Sequence, residues 1–479
     1  MTPGILKHIV QELDAALRAG VISRIHQPNE KDLVFKVYSR GQDFRLLISA
    51  HPEFCRMLLT EEEFENPQNP PRFCAFLRSR ITGARIEGIT QDEGENIAHI
   101  KLAKKTGEGI RSYTLTMELT GKSANVILIA ENGVVLDALK YFKPGETTRP
   151  VVPGIKLAPL PRHAHGPQGP EFDKQESESW NEAAERFYGG LVKEAGFASE
   201  KSRLKKIIVA AEKKLLRLLE NVNNDRVKAE AGLQRARLGE ILRGSYNLMR
   251  RGMKEVEALD YAKEPPEKAL IPLDEKLSPS ENVDKHFKLA KKAKTAIALL
   301  IGRIPKVEAE IEYLKELLFD WENAGHAQGL EALRDELIEA GYVKKTASSQ
   351  SKRVKAEVSE PIRRLRSSDG LEILVGKTAK GNDLIVRQCA KEGDLWFHAA
   401  RAPGSHVLIK AAGRAVAEKT VMEAASIAAY FSKLQNEKKT EVICAEARRV
   451  KKPKGAKPGM VTVSEYKTLR VVPKPPKGG

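Results

Sequence analysis

The stretch Asp394–Lys410, DLWFHAARAPGSHVLIK, decides how the C-terminal part of this chain folds. Leu395–Phe397 is a short apolar run, Ala402–Ser405 contains the turn-forming residues Pro and Gly, and Val407–Ile409 resumes the extended pattern. An extended run, a turn and a second extended run predict a strand-turn-strand unit.

Rings alternate along the first of these predicted strands. Successive side chains of a strand face opposite sides of a sheet, so the rings of Trp396 and Phe397 lie on opposite faces. An outward ring stacks on a base and an inward ring packs in the core, and the sequence leaves both places open for Trp396. His398 and His406 would bind a metal only with further carboxylates or thiols, which the sequence does not place. We therefore expect these histidines to contact RNA or to form structural hydrogen bonds.

A second stretch, Arg448–Met460 (RRVKKPKGAKPGM), places six cationic side chains within ten residues. Prolines and glycines interrupt the run, so it cannot be helical and we expect a solvated loop. A polyanion, most simply RNA, is the natural partner of such a surface, with salt-dependent binding to phosphates and little base specificity.

The net charge is concentrated near the same end of the chain. The 479 residues carry a formal net charge of +17. Residues 351–479 hold 27 Lys and Arg against 13 Asp and Glu, a net charge of +14, whereas the other 350 residues hold 54 against 51, a net charge of +3. This distribution favours a localised nucleic-acid footprint over a generally solubilising surface.

Several classes of function find no support in the sequence. The four cysteines form no CxxC pair, so we expect neither a zinc ribbon nor a disulfide framework. No run approaches the roughly 20 apolar residues of a membrane span, and the N-terminus lacks a cationic leader, so we expect a cytoplasmic protein without a membrane partner. Nucleotide-binding loops and the HExxH and GxSxG motifs are absent from the sequence. We expect no enzyme activity, no cofactor and no metal.

The patterns predict a multidomain α+β protein. Residues 1–158 combine a helix over residues 4–18 and a second at Phe73–Ile81 with short runs of strand character, which predicts an α+β domain dominated by antiparallel strands. A linker at 159–180 leads to a helical arm at 181–345. A second linker at 346–361 precedes a C-terminal α+β domain at 362–479.

The helical arm has apolar residues at heptad spacing in two segments, 204–222 and 290–321. A Pro-rich reversal near 261–282 separates them, so they predict an antiparallel coiled-coil hairpin. In the last domain, further strands are expected at Glu372–Val375 and Asp383–Cys389 and a helix at about 415–434.

Several motifs, in order along nearly the whole chain, resemble the NFACT family. DLWFHA, PGSHV and VKKPKGAKPGMV resemble its C-terminal RNA-binding domain. NPPRFCAFLRSRITGARI and ELTGKSANVILI resemble its N-terminal domain, and ENVDKHFKLAKKAK resembles its second coiled-coil arm.

The resemblance implies a role in ribosome-associated quality control. Such proteins bind a large ribosomal subunit that is obstructed by peptidyl-tRNA after a stalled ribosome has split. Their N-terminal domain contacts tRNA, and their coiled coil reaches toward the stalk base. RqcH-type members recruit alanyl-tRNA so that the ribosome itself appends C-terminal alanines. The implied partners are large-subunit rRNA, obstructed subunits and tRNA, including alanyl-tRNA, and we expect a monomer.

The residue patterns and the resemblance together give two sets of candidate contact residues. RNA-binding residues of the C-terminal domain are Trp396, His398, Arg401, Ser405, His406, Arg448, Arg449, Lys451, Lys452, Lys454 and Lys457. tRNA-contacting residues of the N-terminal domain are Arg24, Gln27, Arg85, Glu95 and Asn96.

Two features depart from the family pattern. Members that append alanines carry an Asp-Arg pair after a Gly, and Glu95 and Asn96 stand at those positions here. The amide of Asn96 lacks the charge and the bidentate donor fork of Arg, so we expect weak or absent alanine tailing. The helix-hairpin-helix segment that usually precedes the coiled coil looks deleted.

Three other functions stay open as alternatives. They are a general RNA- or tRNA-binding protein without a role in tailing, a surface adhesin for fibronectin, and a DNA glycosylase or lyase. The last is considered because the family's N-terminal domain resembles that of formamidopyrimidine glycosylases. Those enzymes use an amino-terminal proline as nucleophile, whereas Thr2 precedes Pro3 here.

Overall fold

The computed structural model describes residues 1–160, 169–344 and 360–476. The chain consists of two compact units, Met1–Gly196 and Phe197–Gly479. Residues 161–168 of the first predicted linker and 346–359 of the second lie outside the described residues. The architecture is a mixture of α and β, with an N-terminal sheet domain, a long helical region and a C-terminal sheet domain.

The first helix, α1 (Pro3–Leu17), buries the apolar stripe that its sequence predicts. The side chain of Thr2 accepts a hydrogen bond from the backbone N–H of Ile5 at 3.4 Å, and Pro3 occupies the first helical position. After the helix the chain turns at Gly20, where an added Cβ would lie 2.9 Å from Val37 and Ser39. The buried residues of α1 are Ile5, Leu6, Ile9, Val10, Leu13 and Leu17.

Nine antiparallel strands form one sheet, with spatial order β4-β3-β2-β1-β5-β6-β7-β8-β9. The antiparallel strands predicted for this domain are confirmed. The bounds are β1 Val21–His26, β2 Asp32–Ser39, β3 Gln42–Ser49, β4 Arg56–Leu59, β5 Arg85–Gln91, β6 Ile97–Thr106, β7 Gly109–Glu118, β8 Asn125–Ala130 and β9 Val135–Ala138. The helix α2 (Arg72–Ile81) lies against β1, where the Nε of Arg78 donates to the carbonyl of Ile25 at 2.7 Å.

The first turns of α3 (Trp180–Gly244) cover the edge of this sheet at β4. The side-chain oxygen of Asn181 accepts a hydrogen bond from the backbone N–H of Leu59 at 3.0 Å. Glu185 accepts from the hydroxyl of Thr60 at 2.5 Å and from the backbone N–H of Glu61 at 3.0 Å. Donors that an edge strand would otherwise expose are therefore satisfied.

The second unit contains the rest of α3, a hairpin of β10 (Glu255–Asp260) and β11 (Glu267–Pro272), and the helices α4 (Pro279–Asn323) and α5 (Ala327–Glu339). Ser278 and Glu281 form a capping box at the start of α4. The hairpin β10–β11 was not predicted, although it lies at the Pro-rich reversal. It packs Val256 and Ile271 against the helices in an apolar cluster.

The contacts of α3 and α4 place the two helices side by side and antiparallel. Leu204 and Leu314 share a buried cluster at one end, and near the other end an added Cβ on Gly239 would lie 3.2 Å from the ring of Phe287. The apolar residues at the heptad positions of both segments are buried or half-buried. Coiled-coil packing along the whole length stays a prediction.

Six antiparallel strands form the C-terminal sheet, in the order β12-β13-β15-β14-β16-β19. The remaining elements are β12 Ile362–Arg366, β13 Glu372–Gly376, α6 Ala379–Leu384, β14 Leu395–Ala399, β15 Val407–Lys410, α7 Glu418–Tyr430, β16 Thr440–Glu446, β17 Val450–Lys451, β18 Thr462–Val463 and β19 Lys467–Val471. One face of the sheet packs on α7, and the opposite face packs on the segment that follows α6.

The strand predicted at Asp383–Cys389 is wrong. These residues form the end of α6 and a π-helical turn, Ile385–Cys389. The side chain of Thr378 caps α6 by accepting from the backbone N–H of Gly381 at 3.2 Å. The β-branched residues that suggested a strand instead cover the sheet, with Ile385 fully buried beneath it.

Candidate nucleic-acid interface

The strand-turn-strand unit predicted from Asp394–Lys410 is confirmed. Leu395, Trp396 and Phe397 of β14 pair with Ile409, Leu408 and Val407 of β15. Phe397 is fully buried against α7, and Trp396 is only 2% exposed on the opposite face. Trp396 therefore occupies the core, which is one of the two places that the sequence left open.

Three rings cluster on the Trp396 face of this unit. His398 stacks on Trp396 with the ring centroids 5.8 Å apart, and His406 meets both rings edge-on at 5.0 and 5.3 Å. Burial lowers the pKa of His398 to about 4. Burial and then the neighbouring His398 lower the pKa of His406 well below its usual value. Both rings are therefore neutral at pH 7, and only His398 is partly exposed.

Hydrogen bonds hold the turn between β14 and β15. The backbone N–H of Ser405 donates to Phe431 at 2.8 Å, and that of His406 donates to the side-chain oxygen of Asn382 at 2.8 Å. Gly404 lies so close to Ser432 that an added Cβ would stand 2.8 Å from the serine Cβ. Ser405 and His406 are buried in consequence, and RNA would reach their side chains only if the turn opened.

Arg401 is the exposed cation of this turn. Its backbone adopts a φ of 56°, which is uncommon outside glycine and places the residue at the bend. Among the described residues, no carboxylate lies within 4.0 Å of its guanidinium. Arg401 is thus available to a phosphate.

The basic loop, Arg448–Met460, uses two of its lysines inside the protein. The Nζ of Lys452 lies 2.5 Å from Asp383, and each side chain is less than one-fifth exposed. The Nζ of Lys457 lies 3.3 Å from Glu310 of α4 and 5.5 Å from the ring centroid of Tyr313. The expectation of a solvated loop is therefore wrong for the side chains of these two lysines.

The other cations of the basic loop face solvent to different degrees. Arg448 pairs with Glu446 at 2.5 Å, and Arg449 pairs with Glu465 at 3.0 Å. Lys451 and Lys454 are exposed, and within the described ranges neither has a carboxylate within 4.0 Å. These two lysines and Arg401 are the strongest candidates for phosphate contact in the C-terminal domain.

The five residues predicted to contact tRNA in the N-terminal domain differ in access. Arg24 and Arg85 are exposed, on neighbouring strands β1 and β5. Gln27 is 4% exposed and Asn96 3%. The side-chain amide of Asn96 donates to the carbonyl of Met1 at 2.9 Å, so its donor is used within the domain. Glu95 is half-buried, and its carbonyl accepts from the side chain of Gln91 at 2.7 Å.

Carboxylates that hold the C-terminal domain were missed by sequence reasoning. Glu316 of α4 accepts from the backbone N–H of Gly404 at 3.1 Å, and Asp320 accepts from that of Ala379 at 2.9 Å. Burial raises the pKa of Glu316 to about 8 and raises that of Asp320 well above its usual value. No sequence signal marks them, because their partners lie 88 and 59 residues away.

Two features are absent from the part of the chain that the structure describes. None of its helices combines the length and apolarity needed to cross a bilayer. No three or more His, Cys, Asp or Glu side chains there are grouped so that they could hold a metal ion.

Comparisons with known proteins place these features in one family. The model of the NFACT N-terminal and middle domains matches residues 4–169 and 163–356, and that of the NFACT protein RNA binding domain matches residues 362–465. The Rqc2 homolog RqcH of Bacillus subtilis is 30% identical, with 97% of this chain and 96% of that protein covered. The protein of the same name from Streptococcus pneumoniae is 28% identical, with 98% and 97% covered.

A solved structure is also similar. The C-terminal part of the fibronectin/fibrinogen-binding protein from Streptococcus suis is 30% identical, with 57% of this chain and 96% of that chain covered, and the TM-score is 0.40. The family models match most of the chain, and the Bacillus subtilis relative matches it nearly end to end. The chain belongs to the NFACT family.

Proposed function

We propose that this protein acts in ribosome-associated quality control, by binding tRNA and large ribosomal subunits that peptidyl-tRNA obstructs. The observation that carries the proposal is the near end-to-end similarity to proteins named RqcH, together with an RNA-binding domain that exposes Lys451, Lys454 and Arg401. The protein acts by binding, and the ribosome performs any peptide transfer.

Alanine tailing is the weaker part of this proposed role. Asn96 stands where tailing members have Arg, and its amide is buried and bonded to Met1. A neutral, internally bonded amide offers no charge to a phosphate. We therefore propose subunit and tRNA binding with weak or absent tailing.

The test is to identify the RNA that co-purifies with the tagged full-length protein from cells that express a stalling reporter. Large-subunit rRNA together with tRNA is the expected result. Varied cellular RNA without enrichment of either species would favour the alternative of a general RNA-binding protein. Mass spectrometry of the reporter's C-terminus then measures tailing, and abundant alanine tails that depend on this protein would contradict the second part of the proposal.

Lysine variants test whether the basic loop binds the subunit. Replacing both Lys451 and Lys454 with Ala removes two exposed cations and should weaken co-sedimentation with large subunits at moderate salt. Lys105 is an exposed lysine of the β6–β7 hairpin and has no acidic side chain within 4.0 Å among the described residues; replacing it removes one such charge from the other unit and should have little effect. Equal co-sedimentation of the loop variant and the parent would contradict the role of these lysines.

A further inference from the structure

One face of the strands β1, β2 and β3 is only partly covered. Phe35 and Val37 face the core on the inner side. On the outer side, α3 lies over the end that carries Asp32, Ser49 and Arg56, since these residues line a groove together with Val192 of α3. Next to this groove Val34 and Leu47 are also buried, and the open area of the face carries Arg24, Lys36, Tyr38 and Arg45, which are exposed or half-buried.

A row of three cations crosses this open area. Arg24 of β1 lies directly opposite Lys36 of β2, which lies directly opposite Arg45 of β3. Neighbouring strands are about 4.8 Å apart, and like charges placed opposite each other destabilise a sheet. Arg45 reaches Glu63 at 3.6 Å, whereas among the described residues Arg24 and Lys36 have no carboxylate within 4.0 Å. Arg45 also donates to the carbonyls of Glu61 and Glu62, so the charges of the row that the described part of the domain leaves uncompensated are those of Arg24 and Lys36.

The adjacent row has an exposed ring at its centre. Arg85 of β5 lies opposite Val21, Val21 opposite Tyr38, and Tyr38 opposite Asp43. Tyr38 is 54% exposed and Val21 39%, although both are large and largely apolar. Tyr38 follows Lys36 by two positions, so both side chains stand on the same face. An exposed tyrosine thus lies between cations of the two rows.

The electrostatic field at this end of β1 is positive. The pKa of His26, two positions from Arg24, is lowered by burial and then by the charges of Arg78, Lys36 and Arg24. The same charges favour a phosphate.

We propose that the open area of this face, defined by Arg24, Lys36, Tyr38 and Arg85, is a platform for unpaired RNA nucleotides. Tyr38 stacks on a base while the cations hold the flanking phosphates, which is the arrangement that binds single strands with little sequence preference. A duplex keeps its bases stacked on one another and cannot offer one to Tyr38. The inference rests on the proposed function for RNA as the class of partner. It adds that the bound RNA is single-stranded and names the residues that bind it.

Fluorescence anisotropy of the full-length protein tests the platform, with a labelled 12-nucleotide single strand and a duplex of the same length as probes. Loss of one stacked base costs about 1–3 kcal/mol, so Tyr38→Ala should weaken single-strand binding by about 5- to 150-fold. Tyr38→Phe keeps the ring and should bind like the parent. Duplex binding should change little in either variant.

The cations are tested by salt dependence. Each lost phosphate contact should reduce the slope of log K against log salt by about 0.7 for a single strand, so we expect this change in Lys36→Ala. Tyr38→Ala should keep the parent slope, because it removes no charge. Asp43→Asn removes the carboxylate opposite Tyr38 and should strengthen binding, while Lys105→Ala is the matched lysine control on another hairpin.

The outcomes separate this inference from the proposed function. Unchanged single-strand affinity in Tyr38→Ala and Lys36→Ala overturns the platform, even if the parent co-purifies with tRNA and large subunits. A photo-crosslinking residue at position 38 that captures protein and no RNA also overturns it. A parent that captures neither tRNA nor subunits contradicts the proposed function, and single-strand binding that still depends on Tyr38 then supports the platform alone. Thermal unfolding of each variant checks that exposed substitutions leave the fold intact.

Discussion

Glu316 of α4 accepts a hydrogen bond from the backbone N–H of Gly404, at the turn between β14 and β15. Four residues on, Asp320 accepts from Ala379 at the start of α6. Two carboxylates of one helix thereby fix a turn and a helix of the C-terminal domain. Arg401, the exposed cation of that turn, owes its position to this support.

The contribution of Glu316 to the stability of the second unit should fall as pH rises from about 4.5 to 8. Burial raises the pKa of Glu316 to about 8, so the folded state holds a proton that the unfolded state has already lost in this range. Glu316→Gln keeps an oxygen for Gly404 and removes the titration, so its stability should depend less on pH. Urea unfolding of both proteins at pH 5, 6.5 and 8 measures the difference, and parallel curves would argue against a buried neutral Glu316.

Acid should destabilise the same unit through the paired histidines. The folded pKa of His398 is about 4, below that of the unfolded chain, so the unfolded state binds the proton first. The stability that His398 contributes is therefore fully present above about pH 6.5 and is lost as pH falls toward 4. It amounts to about 1.4 kcal/mol for each unit by which folding lowers the pKa. His398→Phe should retain stacking on Trp396 and flatten the acid side of the profile. An unchanged profile in that variant would remove His398 as the cause.

The lysines of the basic loop should differ in whether they stabilise the fold or bind RNA. Among the described residues, Lys452→Ala leaves Asp383 with Arg387 alone, at 3.5 Å, and should lower the free energy of unfolding by about 1–3 kcal/mol. Lys454→Ala removes an exposed charge and should leave stability within about 0.5 kcal/mol while weakening RNA binding. Chemical unfolding and co-sedimentation measured on the same preparations test the distinction. Equal stability of the two variants would contradict it.

Replacing two glycines of the second unit with alanine should change the free energy of unfolding in opposite directions. Gly404→Ala places a Cβ 2.8 Å from that of Ser432 and should destabilise by about 1–3 kcal/mol. Gly302 lies within α4 with nothing within 4 Å of an added Cβ, so Gly302→Ala should stabilise by up to about 1 kcal/mol. Thermal unfolding gives both values, and destabilisation by Gly302→Ala would mean that α4 is bent or packed differently there.

Local periodicity was enough for much of the fold. The stripe from Ile5 to Leu17 is the buried face of α1, and the alternation in residues 394–410 gave the β14–β15 pair. The strand predicted at Asp383–Cys389 failed because its cap at Thr378 and its burial under the sheet depend on tertiary contacts. Composition located the basic loop, but it could not show that Lys452 is paired inside the protein while Lys454 is exposed. The partner of Lys452, Asp383, lies 69 residues away in the sequence.

The candidate site of the N-terminal domain shows the same limit. Arg24 and Arg85 were named separately from the resemblance, and only strand register places both beside Tyr38. Register between β1 and β5 depends on chain segments about 60 residues apart, which no local pattern specifies.

The cover that α3 provides for β4 has a practical consequence for dissecting this protein. A fragment that ends at residue 158 would lack Asn181 and Glu185, which satisfy the backbone N–H groups of Leu59 and Glu61. Its bare strand would invite pairing with another copy, so self-association of such a fragment would reflect truncation and not a native dimer. Fragments for biochemical work should therefore continue through the first turns of α3.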